Sequence, residues 1–424
     1  MASTTPSVLL CNKYFTVRGG ADRVFFDTLT LLEKRGHRVI PFSVQTPDAR
    51  PTPYARHFAA NPRWAATRAS GVAERLAAFG QGVYNHEVAE AVRRVIREER
   101  PDIVHVHNLH YELTPAVLRA AHRAGLPVVM TIHDVRVLCP NGYMFTHGAI
   151  CERCLGGRYY HAVFQRCIRD SIQGSLLGAA SAYFAGLIGI WERDVDLYLI
   201  PGRFHLNKYV AAGFDPKKLV HLPNFVDASL YQPAHEPGQY LLYLGYVVRQ
   251  KGILTLIDAM RQRPMVPLRI VGTGPGLDEA RQRVAHHGLA DVHFDGFKSG
   301  DDLWEAIRGA IAVVIPSECY ENAPMAILES YALGKPVIGA RSGGIPEAIV
   351  DGETGYLFDP GNVDQLADRL RAISGAPNHA HAMGQRGRAL VEAKYSPEAH
   401  YQQLIAAYRE AQTNHARHGG SKQC

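Results

Sequence analysis

Short apolar runs alternate along this chain with longer stretches whose apolar residues recur at helical spacing. The short runs predict β-strands, at Ser7–Cys11, His37–Val44, Ile103–His107, Pro127–Ile132, Leu197–Ile200, Tyr240–Gly245, Leu268–Val271, Val313–Ile315 and Pro336–Ile338. Helices are predicted between them, as over Glu87–Glu99, where one face carries Val88, Ala91, Val92 and Ile96. Strands that alternate with helices predict an α/β fold built on parallel sheets.

Turn-forming residues divide this pattern near the middle of the chain. The stretch 229–238 contains two Pro and one Gly and predicts a linker. The chain has 424 residues, which is longer than a single hydrophobic core usually supports. Two domains are therefore expected. We therefore predict an N-terminal domain over 1–228, a C-terminal domain over 239–396, and a separate last segment over 397–424 that contains a helix.

Composition indicates a soluble globular protein, since 46% of the residues are hydrophobic and 20% are charged. The net charge of +6 suits a protein that binds phosphates or an anionic membrane, and the lack of a block of like charges argues against nucleic acid. Met1–Leu10 lacks the features of a signal peptide, so a cytoplasmic location is expected. The uncharged stretch Ser171–Trp191 predicts either a core helix or a helix on a membrane surface.

The stretch Ala312–Asn362 carries the first candidate site. Pro324 opens a helical pattern, and Glu321 and Glu329 bracket the point where the loop becomes the helix. This loop follows a predicted parallel strand, where doubly wound sheets bind ligands, and the first turn with Met325 and Ala326 offers free N–H groups to an anion. The alternative is a solvating role for both glutamates, with Asn322 capping the helix.

Three other positions have matching chemistry. Gly19 and Gly20 follow the first strand and open a helix, which is a phosphate-binding geometry or an ordinary turn. His133 ends a strand, where an imidazole can hydrogen-bond a hydroxyl group or take a proton, and the adjacent Asp134 could fix its tautomer. Lys251 is a point charge suited to a diphosphate. His107 and Asn108 could line a ligand pocket or form a hydrogen-bonded structural pair.

Four of the seven cysteines cluster between residues 139 and 167. Their spacing, C-x11-C-x2-C-x12-C, suggests thiolate ligands more than disulfides in a chain without a secretion signal. We predict a structural zinc site with no open coordination position. The alternative is four buried or redox-labile thiols. The predicted ligands are Cys139, Cys151, Cys154 and Cys167.

These motifs resemble the family 4 glycosyltransferases, also called glycosyl transferases group 1. The resemblance rests on E-x7-E at Glu321 and Glu329, the following GKPVI and SGGIPEAIVDGETGYLFDPG, and N-x-V-D at Asn224–Asp227. It implies the GT-B fold, in which two Rossmann-like, doubly wound parallel-sheet domains face each other across a cleft. It also implies that the last helix crosses back to the first domain, and that the cysteines belong to an insertion found in a subgroup.

The resemblance further implies a retaining transfer of a sugar from a UDP- or GDP-sugar to a hydroxyl group, without a metal cofactor. Glu321 and His133 would contact the donor sugar, Glu329 the ribose, and backbone atoms near Phe297 the base. The diphosphate would bind Gly19, Gly20, Lys251 and the helix start at Asn322, Met325 and Ala326. Two departures are Tyr246, where the family usually has an arginine that Arg249 could replace, and the ENAP loop at Glu321–Pro324.

The expected acceptor is a carbohydrate or a lipid-linked saccharide in cell-surface polysaccharide or glycolipid synthesis, with peripheral contact to the inner face of the membrane. Two alternatives remain within the fold, a sugar-nucleotide epimerase and a non-catalytic carbohydrate-binding relative. An NAD enzyme is a third, weakened because no G-x-G-x-x-G follows the first strand.

Overall fold

A computed structural model describes residues 5–61, 72–262 and 266–420. Predicted ranges that include other residues, such as 1–228 and 397–424, are therefore described only in part. Within the described residues the chain forms two six-stranded sheets and one two-stranded hairpin. All pairings within the two large sheets are parallel. The predicted α/β class with two parallel sheets is confirmed.

The first half of the chain forms the N-terminal sheet, in the strand order β2-β1-β3-β4-β7-β8. Its strands, with the hairpin β5–β6, are β1 (Val8–Tyr14), β2 (Val39–Val44), β3 (Ile103–Val106), β4 (Val128–Thr131), β5 (Phe145–Thr146), β6 (Ala149–Ile150), β7 (Leu197–Ile200) and β8 (Leu219–His221). Its helices are α1 (Gly20–Lys34), α2 (Val72–Val83), α3 (His86–Glu99), α4 (Ala116–Arg123), α5 (Tyr160–Phe164), α6 (Ile172–Leu187), α7 (Ile190–Arg193) and α8 (Arg203–Ala211).

The second half forms the C-terminal sheet, in the order β11-β10-β9-β12-β13-β14. Its strands are β9 (Tyr240–Leu244), β10 (Leu268–Val271), β11 (Val292–Gly296), β12 (Ala310–Ile315), β13 (Val337–Ala340) and β14 (Gly355–Phe358). The helices are α9 (Ile253–Met260), α10 (Leu277–His286), α11 (Gly300–Arg308), α12 (Met325–Ala332), α13 (Ile345–Ala348), α14 (Val363–Ser374), α15 (Pro377–Lys394) and α16 (Pro397–Gly420).

Strand residues alternate between two cores because successive side chains point to opposite faces of a sheet. In β1, Leu9 and Cys11 join one core, while Val8 and Leu10 join the other. In β12, Val313 and Val314 separate in the same way. Both faces of each sheet are covered, which explains why the sequence shows continuous apolar runs rather than alternation.

Helix α16 lies on the N-terminal sheet, although it follows α15 of the C-terminal half. It contacts β4, β7 and α1. Its buried residues join the same core as Val8 and Leu10; they are Leu404, Ala407, Tyr408 and Ala411. The domain boundaries themselves stay a prediction.

The uncharged stretch Ser171–Trp191 forms α6 and the start of α7 rather than one helix. Its interior side consists of small residues such as Gly178 and Ala179, whereas Leu176 and Leu187 on the same helix are exposed. It is therefore only partly a core helix. In the described ranges, the helices are all too short or too polar to span a bilayer.

Candidate active site

The loop between β12 and α12 lies where the two sheets face each other. Contacts from both halves fix its backbone. The Ser342 hydroxyl donates to the Cys319 carbonyl at 2.8 Å, and the Gly344 N–H donates to the Glu321 carbonyl at 2.7 Å. From the N-terminal half, the Asn224 side chain donates to the Ala323 carbonyl at 2.9 Å. The loop is thus held before any ligand arrives.

Glycines from both halves allow this loop to approach closely. A β-carbon on Gly344 would lie 1.8 Å from the Asn322 carbonyl oxygen, and one on Gly202 of the N-terminal half would lie 2.8 Å from the same oxygen. Gly343 also adopts a φ of +60°, which side chains disfavour, and touches Glu321. Only glycine fits at these positions without displacement of the loop.

Glu321 forms a partly buried ion pair with Lys251. The Lys251 ammonium and the Ser317 hydroxyl each donate to Glu321 Oε1 at 2.5 Å. Burial would raise the pKa of Glu321, but Lys251 and Ser317 lower it below its ordinary value. Burial also disfavours the ammonium charge, which Glu321 offsets, so the pKa of Lys251 is raised. Both groups are therefore ionised at neutral pH.

Asn322 joins the two halves of the molecule instead of capping α12. Its amide donates to the Ile132 carbonyl at 2.7 Å, and its oxygen accepts from the Gly202 N–H at 2.9 Å. Helix α12 has Pro324 at its N-cap and no side-chain cap. The capping alternative is wrong because the side chain points across to the neighbouring half. Its bond to Ile132 brings the loop next to His133.

Glu329 lies in α12 and is 8% exposed. Burial, helped by the charge of nearby Asp27, raises the pKa of Glu329 to about 7, and the charge of Arg23 opposes this. Arg23 acts weakly because its Nε already contacts Asp27 Oδ1 at 3.0 Å. Near neutral pH this carboxyl therefore exists in both protonation states, in contrast to Glu321.

The starts of α1 and α12 meet across the two halves. Gly19 is the N-cap of α1, and a β-carbon on Gly20 would lie 3.8 Å from the Met325 side chain. Ala326 follows in the first turn of α12. The free N–H groups of two helix N-termini thus occupy one region, which favours an anion there.

His133 follows β4 and belongs to a row of buried imidazoles. His133 Nε2 lies 2.9 Å from His107 Nδ1, and the two rings stack at 26°. The row continues to His105, whose Nδ1 lies 2.8 Å from the Tyr408 hydroxyl of α16. Burial lowers the pKa of His133 to about 4 and that of His105 to about 3. These rings are neutral at pH 7.

Asp134 does not set the tautomer of His133, and that expectation is wrong. Its Oδ1 accepts the Arg136 N–H at 2.8 Å, and its Oδ2 lies 3.4 Å from Arg136 Nε. The tight turn after β4 directs the carboxylate to Arg136. The hydrogen-bond partner of His133 is His107.

Three predicted residues lie at more open positions. Arg249 begins a 3₁₀ turn that ends at Lys251, and it contacts Glu279 at 3.6 Å with 65% of its side chain exposed. Phe297, after β11, is 62% exposed, and Tyr246, after β9, is 54% exposed. Unlike Lys251, Arg249 therefore makes no ion pair with Glu321.

The cysteine-containing segment 139–167 contacts the candidate site through Glu152. Glu152 Oε1 accepts from the Tyr320 hydroxyl at 3.0 Å and from Lys208 of α8. Because Tyr320 precedes Glu321, this segment supports the loop directly.

The four thiols of the insertion are free. Cys139 and Cys154 share a hydrogen bond that lowers the pKa of Cys139 to about 7 and raises that of Cys154. No three of the four sulfurs come within 4.8 Å of one another in the described part of the chain. The zinc site stays a prediction.

Sequence reasoning missed two side chains beside Lys251 and Glu321. Burial raises the pKa of Tyr143, and the charge of nearby Lys251 opposes this. Burial lowers the pKa of His205 to about 4, and nearby Glu321 opposes this. Among the described residues, His205 Nδ1 is buried without a hydrogen-bond partner. Neither residue has a local signal, since each approaches the loop only through the packing of the two halves.

Comparison with known proteins identifies the family to which this architecture belongs. The family model "Glycosyltransferase Family 4" matches residues 18–230, half of the chain, and "Glycosyl transferases group 1" matches residues 232–390. The chain belongs to glycosyltransferase family 4. The family expected from the sequence motifs is confirmed at this level.

The curated relatives of this family 4 member include transferases that are named after different sugars and acceptors. The chain is 27% identical to the sulfoquinovosyl transferase SQD2 of Arabidopsis thaliana over 65% of its own length and 50% of the relative's. It is 30% identical to a D-inositol 3-phosphate glycosyltransferase of Segniliparus rotundus over 49% of its own length and 50% of the relative's. The matched parts therefore span about half the length of these relatives.

Solved structures confirm the GT-B fold of this family 4 member. Sucrose-phosphate synthase of Thermosynechococcus elongatus aligns with a TM-score of 0.70 and 20% identity over 96% of this chain and 98% of that one. HepE of Anabaena, in complex with UDP and glucose, aligns with a TM-score of 0.67 and 18% identity over 95% and 98% of the two chains. The predicted pair of Rossmann-like domains is confirmed.

Proposed function

We propose that this protein transfers a sugar, with retention of anomeric configuration, from a UDP- or GDP-sugar to a hydroxyl group of a saccharide acceptor. The observation that carries the proposal is the partly buried Lys251–Glu321 pair beside two helix N-termini from opposite halves of the molecule. This arrangement suits a ligand that combines negative charge with hydroxyl groups. In the proposed division, residues 1–228 bind the acceptor and residues 239–396 bind the donor.

The donor diphosphate would bind between the starts of α1 and α12. Each helix N-terminus carries roughly half a positive charge, so the N–H groups at Gly20, Met325 and Ala326 stabilise the phosphates. Lys251 has three donors and can contact a phosphate oxygen while it keeps its bond to Glu321. Arg249, on the same turn, would add a second charge where the family usually has the arginine replaced by Tyr246. The proposal requires no metal ion.

The sugar and the nucleoside would extend to either side of the diphosphate. Glu321 would accept a hydrogen bond from a sugar hydroxyl near the reacting carbon, and the neutral His133 would donate or accept one. Asn322 would hold the loop against the end of β4 at Ile132. Glu329 would accept hydrogen bonds from the ribose hydroxyls, and the backbone beside Phe297 would contact the base.

In the chemical step, the bond between the anomeric carbon and the diphosphate oxygen breaks as the acceptor oxygen forms its bond to that carbon on the same face. The departing phosphate oxygen takes the acceptor proton, so no side chain is required as a base. The helix N-termini and Lys251 stabilise the charge of the leaving group, and ionised Glu321 stabilises the oxocarbenium-like carbon.

The acceptor is proposed to be a saccharide of a cell-surface polysaccharide or glycolipid, reached at the inner face of the membrane. One sequence relative, 30% identical over 46% of this chain, is a GDP-mannose-dependent phosphatidylinositol monomannoside mannosyltransferase of Mycolicibacterium smegmatis. Helices α5 and α6 expose apolar side chains that suit a lipid-linked acceptor, namely Tyr160, Phe164, Ile172, Leu176, Tyr183 and Leu187. Exposed arginines lie nearby in the chain, at Arg153, Arg158, Arg166 and Arg169.

A panel of UDP- and GDP-sugars tests the proposal. Thermal shift identifies the donor, and NMR of the product formed with an acceptor panel gives the anomeric configuration. The proposal expects a new glycosidic bond with the donor's configuration. Donor consumption without acceptor, giving an altered free sugar, would instead support the epimerase. Nucleotide binding without turnover on any acceptor would support the non-catalytic relative.

A further inference from the structure

Three side chains that commonly bind metals meet at the amino end of β7, on the opposite edge of the sheet from His133. His122 lies in the last turn of α4, Asp196 directly precedes β7, and His415 lies in α16. One ligand atom of each residue lies within 4.8 Å of those of the other two. Two imidazoles and a carboxylate are a frequent ligand set for zinc and related ions.

The geometry of this cluster is close to that of a metal site. His415 Nδ1 lies 3.1 Å from Asp196 Oδ2, and the His122 and His415 rings pack edge to face with centroids 5.4 Å apart. Two ligands that each lie 2.0–2.1 Å from a tetrahedral zinc are about 3.3 Å apart. The His415–Asp196 separation therefore requires only a small movement, and the other two separations are within 4.8 Å.

The surroundings of the Asp196 carboxylate favour a bound cation. It is only 2% exposed, and the Val128 N–H donates to its Oδ2 at 2.8 Å, which fixes the carboxylate. The nearby Lys218 ammonium donates instead to the Glu192 and Val195 carbonyls, at 2.7 and 2.8 Å. A buried carboxylate of this kind is stabilised by a cation or by hydrogen bonds.

We propose that His122, Asp196 and His415 bind one divalent transition-metal ion, such as Zn²⁺, with water in the fourth position. The ion would join three elements that are distant in sequence and fasten the end of α16 to the N-terminal sheet. Its role is structural, because the loop between β12 and α12 contacts the carboxyl end of β4 at Ile132, whereas the three ligands lie at the amino end of β7. The inference does not depend on the proposed function.

The consequence for the enzyme acts through α16. This helix carries Tyr408, whose hydroxyl bonds to His105 in the row of imidazoles. A metal at His415 would hold the last turns of the helix and keep that contact in place.

Cobalt titration of chelator-treated full-length protein tests the proposal. Bound by nitrogen and oxygen ligands, Co²⁺ gives weak visible bands, whereas thiolate ligands add strong near-ultraviolet charge transfer. We expect one Co²⁺ per chain with the nitrogen–oxygen spectrum, in addition to any bound by the cysteines. His415→Ala should weaken this binding at least about tenfold. His379→Ala, which removes an exposed imidazole from α15, should leave it unchanged.

Zinc should also raise the Tm of the wild type and of His379→Ala by more than that of His415→Ala, because any zinc on the cysteines acts equally on all three proteins. The His415 side chain is 18% exposed, and His122→Gln serves as a second ligand variant, so that one variant still tests the proposal if the other fails to fold. The proposal is overturned if wild type and His415→Ala bind the same number of ions with the same affinity, or if all bound Co²⁺ shows thiolate charge transfer.

Discussion

The two walls of the candidate site differ in charge: the side chains of one are ionised and those of the other are neutral. The C-terminal wall holds an ionised pair, Lys251 and Glu321, in contact at 2.5 Å. The N-terminal wall holds imidazoles such as His107 and His133, whose pKa values burial lowers until they are neutral. Both walls are at least partly buried, so burial alone does not decide the charge. A close counter-charge keeps the first wall ionised, and its absence leaves the second neutral.

This difference between the walls matches the needs of the proposed nucleotide-sugar donor and saccharide acceptor. Charge developing on a leaving diphosphate needs fixed dipoles and cations, which belong to the C-terminal wall and to the starts of α1 and α12. A sugar hydroxyl needs only polar partners, which neutral imidazoles supply. A neutral N-terminal wall also avoids placing a positive charge near the cation-like carbon.

The largest expected effect comes from removal of the negative charge on the C-terminal wall. Glu321→Gln keeps the shape but loses the ion pair, so we expect kcat to fall by roughly 10²–10³-fold. Nucleotide affinity should stay near that of the wild type. The comparison is Glu353→Gln, which changes an exposed glutamate of the same half. Unchanged kcat in Glu321→Gln would remove this residue from the mechanism.

On the neutral wall, His133→Ala should lower kcat about tenfold, the value of one hydrogen bond to the sugar. Because the pKa of His133 is about 4, the ring does not titrate between pH 5 and 8, and the pH profile of the wild type should contain no step from it. His235→Ala, at an exposed position, is the matched control. A step near pH 6 that disappears in His133→Ala would contradict the neutral wall.

Glu329 tests whether one side chain of the site can change between the ionised and the neutral state near pH 7. Its pKa of about 7 means that it is mostly protonated at pH 6 and mostly ionised at pH 8, near Arg23, Asp27 and Tyr231. If only the carboxylate binds the ribose, nucleotide affinity should rise by about tenfold between these values. Calorimetry should show proton release on binding, and Glu329→Gln should remove both effects.

The same group has the opposite effect on the ligand-free fold. Its folded pKa lies above the ordinary value of 4.5, so folding takes up a proton between pH 4.5 and about 7. The stabilisation is complete below that range and is lost as the pH rises through about 7. The Tm of the wild type relative to Glu329→Gln should therefore fall between pH 5 and 8. An unchanged difference would show that the carboxyl titrates normally.

The smallest expected effect on chemistry comes from the contact that joins the walls. Asn322→Ala leaves the Ile132 carbonyl and the Gly202 N–H without their partner, which should cost about 1–3 kcal/mol of folding stability. Denaturant unfolding measures this loss against Asn378→Ala, an exposed control on α15. We expect only a few-fold loss of kcat. Equal stability in the two variants would mean that the walls are held together elsewhere.

Much of the fold follows from the sequence because the signals are local. The spacing of Val88, Ala91 and Val92 predicts α3, and the helix is observed at His86–Glu99. The loop with Glu321 and the start of α12 likewise follow from Pro324 and the preceding apolar run. Periodicity and turn residues act over a few positions, so such elements can be predicted one at a time.

The partners within the site could not be predicted in this way. Asn322 bonds to Gly202 and Ile132, which lie 120 and 190 residues away in the chain. Sequence neighbours even misled, since Asp134 adjoins His133 but bonds to Arg136. Tyr143 and His205 approach the loop between β12 and α12 only because the two halves of the chain pack against each other. Which groups meet across a cleft depends on the docking of whole domains.

The glycines around Asn322 have a practical consequence for recombining enzymes of this family. Gly202 lies in the first half of the chain and Gly343 and Gly344 in the second, yet all three make room for the same turn. A hybrid that joined this C-terminal half to the N-terminal half of another member would contain a steric clash wherever that half had a side chain in place of Gly202. The exchangeable unit is therefore the C-terminal half together with this one position of the N-terminal half.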